Sequence, residues 1–271
     1  MKTTLKYIIV ACALVVASVA QAWNDKSSRS IAELAARHLT PAAKSQTEAI
    51  LGGSITENTQ WLHSLRREGK AQHTAKWHRV AVARNLRSMT SNENDAIVQI
   101  ERATAVLRDR ANQSDSLVRA SLLTVIHLVS DMHDISNIQI EGVPASLHSF
   151  NIKLSNGKSG KAHRLTNYSW KRFWSGFWIG RHPGFSPALY GEELEICHGK
   201  HKDMLSKGNP RIWAVDMARQ CILVYRWASP DCELSLEAVN GLEPVQDLCL
   251  ARAGFRLAAL LQRIRRPYHA G

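Results

Sequence analysis

The chain has 271 residues, with 35 Lys and Arg against 23 Asp and Glu, a formal net charge of +12. That surplus favours polyanionic partners such as nucleic acid or anionic membrane surfaces. No segment reaches the ~20 apolar residues of a spanning helix, which argues against a membrane-embedded chain.

The first 22 residues read as an export signal: Lys2 and Lys6, an apolar stretch from Tyr7 to Ala20, then Ala20-Gln21-Ala22 as a peptidase site. Cleavage there leaves Trp23 at the N-terminus of a secreted or periplasmic protein without a membrane anchor. Ser28 to Leu39 places Ile31, Leu34, Ala35 and Leu39 on one helical face, and Thr40-Pro41 opens a second helix to Leu51. Asn94 to Arg110 repeats the pattern through Ile97, Ile100, Thr104 and Leu107, and Leu117 to Asp134 carries another stripe. Asn151 to Gly160 breaks it, since Ile152-Lys153-Leu154 runs into an Asn156-Gly157 turn signal for a small hairpin. Tyr168 to Gly208, rich in Trp, Gly and Pro, reads as irregular. Asn209-Pro210 and Pro244 then open the last two helices. The expectation is an all-α protein with one small β-hairpin, its domain at 23–264 and a basic tail at 265–271.

Four cysteines follow the signal, Cys197, Cys221, Cys232 and Cys249, and in an exported chain they predict two disulfides with three possible pairings. Cys197-His198-Gly199-Lys200-His201 looks like a metal knuckle, but a disulfide beside a surface loop explains it better. Trp170, Trp174 and Trp178 lie among Lys171, Arg172 and Arg181, a pattern suited either to stacking bases or to ordinary packing.

The chemistry concentrates on His127 and Asp131, four residues apart and therefore on one helix face. A His on an apolar face is more often a hydrogen-bonded core residue than a ligand. Here, however, His63, in Trp61-Leu62-His63, and His78, after Trp77, would complete a tetrahedral zinc shell with His127 and Asp131.

These residues carry a resemblance. Trp23 followed by a helix ending Ala-Arg-His-Leu, Trp61-Leu62-His63, Trp77-His78, and His127-Leu-Val-Ser-Asp131-Met-His133 resemble the secreted zinc nucleases specific for single strands, the S-one/P-one type. That family also acts on 3'-nucleotides and shares its helical fold with zinc phospholipase C. Ala253-Gly254-Phe255-Arg256-Leu257-Ala258 is similar to the family's closing helix.

The resemblance implies three zinc ions in one cleft and a metal-activated water that attacks a phosphodiester. Transferred residue by residue, one zinc falls to His63, His78, His127 and Asp131, with His63 in place of an aspartate; His63 and Asp131 are the catalytic candidates. A second zinc would use the Trp23 amine and carbonyl and Asp131, but Ser28 stands where the family has histidine. A third would fall to His163 with Asn137 and Asn167, where amides replace stronger ligands. Arg79 follows His78 where relatives carry a base-stacking aromatic, making it the candidate substrate contact. The expected function is hydrolysis of single-stranded DNA or RNA, with 3'-nucleotides as secondary candidate substrates, using one Zn2+ and at most three. The alternatives are an inactive nucleic-acid-binding protein of the same fold and a phospholipase-like phosphodiesterase.

Overall fold

Local capping chemistry sets the helix starts in the computed structural model, which describes residues 23–90, 93–144, 149–155 and 165–265. The Asn24 side chain accepts from the Ser27 amide at 2.8 Å and opens α1 (Asp25–Arg37). Thr40 caps α2 (Pro41–Leu51), which Gly52 ends at φ 71°, a left-handed conformation that favours glycine. After the short α3 (Trp61–Arg67) and strand β1 (Val80–Val82), Asp95 accepts from the Ile97 and Val98 amides at the head of α4 (Ala96–Arg108). Ser114 caps α5 (Asp115–Asp131), and strand β2 (Ile138–Ile140) follows shortly after it.

Strands β3 (Asn151–Ser155) and β4 (Leu165–Ser169) form an antiparallel pair, a correction to the expected hairpin in that the second strand lies beyond Gly160 and Ser155 is registered with Leu165. The Asn156-Gly157 turn lies outside the described residues, as do the signal segment, His163 and most of the basic tail. Then come α6 (Trp170–Arg181), α7 (Pro187–His198), the one-turn α8 (Lys202–Leu205), α9 (Pro210–Tyr225), strand β5 (Glu233–Leu234) and the long α10 (Leu236–Arg265).

Helix α5 is the axis of the packing. Every residue from Ser121 to Asp131 is buried, because α4, α2, α10, α3 and α1 surround it. A helix enclosed in this way must be apolar nearly all round, as Leu122 to Val129 is. Helix α1 lies against α7 and α10, whose glycines allow the approach: a Cβ on Gly254 would meet Leu34 Cδ2 at 2.7 Å, and one on Gly191 would meet the Ser30 carbonyl at 3.2 Å.

The predominantly helical expectation holds, with corrections. Tyr168 to Gly208 is helical, since Trp170, Phe173, Trp174, Phe177 and Trp178 recur at helical spacing, and Ser186 with Pro187 starts α7. Trp170, Trp174 and Trp178 are fully buried, so their indoles serve packing and do not face a nucleic acid. Pro244 lies inside α10 rather than at its start. The hairpin gains β5 as a parallel third strand, and β1 pairs in parallel with β2, an element the sequence reading lacks. The two expected disulfides are not formed. Cys197 is an exposed free thiol at the end of α7, Cys232 is a half-buried one, and Cys221 and Cys249 are buried ones on α9 and α10. Among the described residues no helix is long and apolar enough to cross a membrane.

Candidate metal centre

Three separate segments deliver imidazoles to the C-terminal end of α5. His127 and Asp131 project from its buried face one turn apart. His63 comes from α3, where Leu62, His63 and Arg66 form the inward side. His78 is placed by the β1–β2 pairing: β1 starts two residues after it, β2 starts a few residues after Asp131, and Val80 is registered with Ile138.

The rings are in contact. His63 and His127 have centroids 4.5 Å apart in an edge-to-face arrangement, His78 and His127 5.2 Å, and His63 and His78 lie parallel at 5.5 Å. Ligand atoms of His63, His127 and Asp131 all fall within 4.8 Å of one another, and all three residues are buried.

Hydrogen bonding fixes the tautomers. The Arg66 guanidinium, which can only donate, is 2.9 Å from His78 Nε2, so that nitrogen accepts. His78 Nδ1–H therefore donates to Asp131 Oδ2. His127 Nδ1–H donates to the Thr59 carbonyl at 3.0 Å, which turns Nε2 toward Asp131 Oδ2 at 3.2 Å without a well-aligned hydrogen bond. In the neutral ring two lone pairs face each other there, and only a proton or a metal cation between them relieves the repulsion. His63 Nδ1 is buried with no partner.

The electrostatics follow. Burial pushes the His63 pKa down to about 3, so the ring is neutral near pH 7 and its lone pair is available. Burial works to raise the Asp131 pKa, but the proximity of His127 and the hydrogen bond from His78 prevail and hold it well below the usual carboxylate range. Burial is the largest single influence on His127 and lowers its pKa, but the carboxylate of Asp131 and the Thr59 carbonyl together outweigh it, giving a net increase that suits the proton-or-cation choice.

The other candidate ligands are placed differently. Trp23 is fully buried, and its indole donates to the Ser130 carbonyl at 3.0 Å, which seats the residue beside α5 next to Asp131. Ser28 is buried in the first turn of α1, its amide on the Asn24 carbonyl. Asn137 donates to the Asp131 carbonyl at 3.0 Å and accepts from the Lys171 ammonium at 3.3 Å, so a fixed cation holds its amide oxygen. Asn167 is exposed on β4 opposite Lys153 and does not join Asn137. Arg79 is exposed beside a hollow of about 80 Å³ shared with Lys76 and Asp95.

Two contributors, Arg66 and Thr59, are not among the sequence candidates, and Lys171 is there only as one of the basic residues around Trp170. Arg66 is the more accessible, since it lies three residues after His63 and so shares its helix face. The Thr59 carbonyl carries no sequence signal, and nothing local points Lys171 to Asn137. His133 is not a ligand candidate here: its Nδ1–H donates to the Val129 carbonyl at 2.7 Å and its Nε2 accepts from Arg256 at 3.1 Å. Arg256 also bonds Asp216 at 2.6 Å and the Leu205 carbonyl at 3.0 Å, so the Ala-Gly-x-Arg-Leu-Ala segment ties α5, α8, α9 and α10 together.

Comparison with known proteins agrees with this geometry. The family model of the S1/P1 nuclease matches residues 23–134, a segment that holds Trp23, His63, Arg66, His78, His127 and Asp131 and ends before Asn137 and Lys171. No curated protein matches the chain. Over residues 23–134 the chain is similar to the S1/P1 nuclease family.

Proposed function

We propose that the protein is a zinc-dependent nuclease that hydrolyses phosphodiester bonds of single-stranded DNA or RNA, with 3'-nucleotides as small substrates. The observation that carries this reading is the convergence of His63, His127 and Asp131 in one buried cluster. The residues fit a divalent cation: His63 Nδ1 is a buried ring nitrogen without a partner, and His127 Nε2 faces a carboxylate oxygen. His63, His127 and Asp131 would hold it, with His78 as a fourth ligand once its Nε2 leaves Arg66. A zinc ion bound there supplies Lewis acidity at the phosphoryl group and lowers the pKa of a coordinated water toward neutrality.

The chain's own groups prepare the site. The Thr59 carbonyl fixes the His127 tautomer so that Nε2 points inward. His78 Nδ1–H orients Asp131 and keeps it ionised. Arg66 is the cation nearest the cluster. Its Nε–H is buried without a partner, leaving a donor for a non-bridging phosphoryl oxygen. Lys171, held on Asn137 beside the Asp131 carbonyl, adds positive charge on the side where the resemblance expects a further metal. This favours one zinc per chain over three. An export signal with cleavage after Ala22 belongs to the same reading, since it would free the Trp23 amine.

The test is hydrolysis of single-stranded DNA, RNA and a 3'-nucleotide before and after chelator treatment, with zinc added back. Activity lost to chelator and restored by zinc is expected. Binding of single strands with no chelator-sensitive turnover would refute the enzyme and leave a nucleic-acid-binding protein on the same fold.

A further inference from the structure

A second cavity, outside the metal cluster, opens between α3, the turn after it, α4 and α5 and encloses about 340 Å³. It follows the same stripe of α5 that carries His127, since Leu117, Ala120 and Thr124 line it and Thr124 stands one turn before His127. Its walls are apolar, with Trp61 and Trp77 the two indoles and Ala103 and Ala120 leaving space that larger side chains would fill. His73 meets Trp77 edge to face at 5.5 Å and so props that ring.

The charged residues that line the cavity are Lys70 and Arg102, both exposed at its rim, with His73 beside them; no carboxylate lines it, although Glu68 pairs with Lys70 at 2.8 Å. A cavity at the small-molecule scale, with aromatic walls and a cationic rim, selects a planar ring bearing an anionic group.

We propose that this cavity binds a nucleoside monophosphate, with the base between the Trp61 and Trp77 side and Ala120 and the phosphate on Arg102 and Lys70. The preference for an aromatic anion comes from the cavity itself. The choice of a nucleotide rests on the nuclease reading. Such a site would retain a product nucleotide or anchor a flanking nucleotide of a strand near the metal centre.

The experiment is isothermal titration of the full chain with adenosine 5'-monophosphate in the presence of chelator, which separates this binding from any metal-dependent turnover. Binding at one equivalent is expected. Ala120→Trp, which fills a half-exposed position of the wall, should weaken it more than tenfold, and Arg102→Glu, which reverses a rim charge, about tenfold. Adenosine should bind more weakly than its monophosphate, and inorganic phosphate should not displace it at equal concentration. Arg102 is exposed, so Arg102→Glu serves if Ala120→Trp fails to fold. No binding, binding that neither variant alters, or binding of dodecyl phosphate in preference to the nucleotide would overturn the proposal. Any of these would leave chelator-sensitive hydrolysis untouched.

Discussion

Arg66→Met separates metal affinity from turnover because the guanidinium donates to Nε2 of His78, the one lone pair of a ring whose Nδ1–H is given to Asp131. A zinc ion that takes His78 Nε2 must displace a buried hydrogen bond of 2.9 Å from a charged donor. Such bonds are worth about 1.5–3 kcal/mol, so their removal should tighten zinc binding roughly 10- to 100-fold. Met is similar in length and apolar, so the buried space stays filled. Arg66 is also the candidate donor to a phosphoryl oxygen, and removing one such donor costs about 10²–10³ in kcat. Affinity and turnover are therefore expected to move in opposite directions. Zinc affinity is read by competition with a chelating dye, and turnover on a 3'-nucleotide at saturating zinc. An unchanged or weakened zinc affinity would show that Arg66 does not compete with the metal for His78. Unchanged turnover would remove Arg66 from the phosphate-binding role.

Two further substitutions test the surroundings. Arg256→Met leaves His133 Nε2 and the Leu205 carbonyl without the Arg256 donor and leaves Asp216 with only its longer ion pair, to Arg219 at 4.0 Å. It should cost about 3–5 kcal/mol in urea unfolding while zinc content per folded chain stays the same; a loss under 1 kcal/mol would contradict the architectural role. Asp134 is fully buried, one carboxylate oxygen has no partner, and burial pushes its pKa from 3.8 to about 6 against the pull of Lys171. The folded chain therefore holds this proton more tightly than the unfolded one, and the contribution of Asp134 to stability falls as pH rises from about 4 to about 6, opposite in sign to that of His63, whose lowered pKa adds stability as pH rises from about 3 to about 6.5. The shift of about two units corresponds to about 3 kcal/mol at pH 7. Asp134→Asn should melt higher than the parent at pH 7, and across that window in chelator its stability should change with pH in a more positive sense than the parent's. A residual slope should remain from Asp247, which burial also raises to about 6 beside the Tyr190 hydroxyl. An identical slope in parent and variant would refute the assignment.

Helices α1, α2, α4, α5 and α9 were legible because an apolar stripe and a local cap agree at each: Thr40-Pro41 and Asn209-Pro210 are both followed by regular spacing. The stretch that becomes α6 and α7 misled because its glycines and prolines weigh toward loops, while its tryptophans already sat at helical spacing. Pro244 misled for the opposite reason, as a helix-start residue tolerated in an interior. The β1–β2 pair could not be read, since two three-residue segments far apart in sequence give no local signal of pairing, yet this contact brings His78 to Asp131. At the site, residue type and spacing found the three imidazoles and the carboxylate. They could not show that Arg66 occupies His78 Nε2 or that Lys171 holds Asn137, because those contacts depend on the direction of long side chains.

The most direct test is the zinc content of purified protein and of His127→Ala after gel filtration, alongside their melting temperatures. One zinc per parent chain is expected, with the variant carrying none and melting lower because His127 takes its hydrogen bond to Thr59 and its pairing with Asp131 along with it. A variant that retains its zinc and melts like the parent would contradict the account.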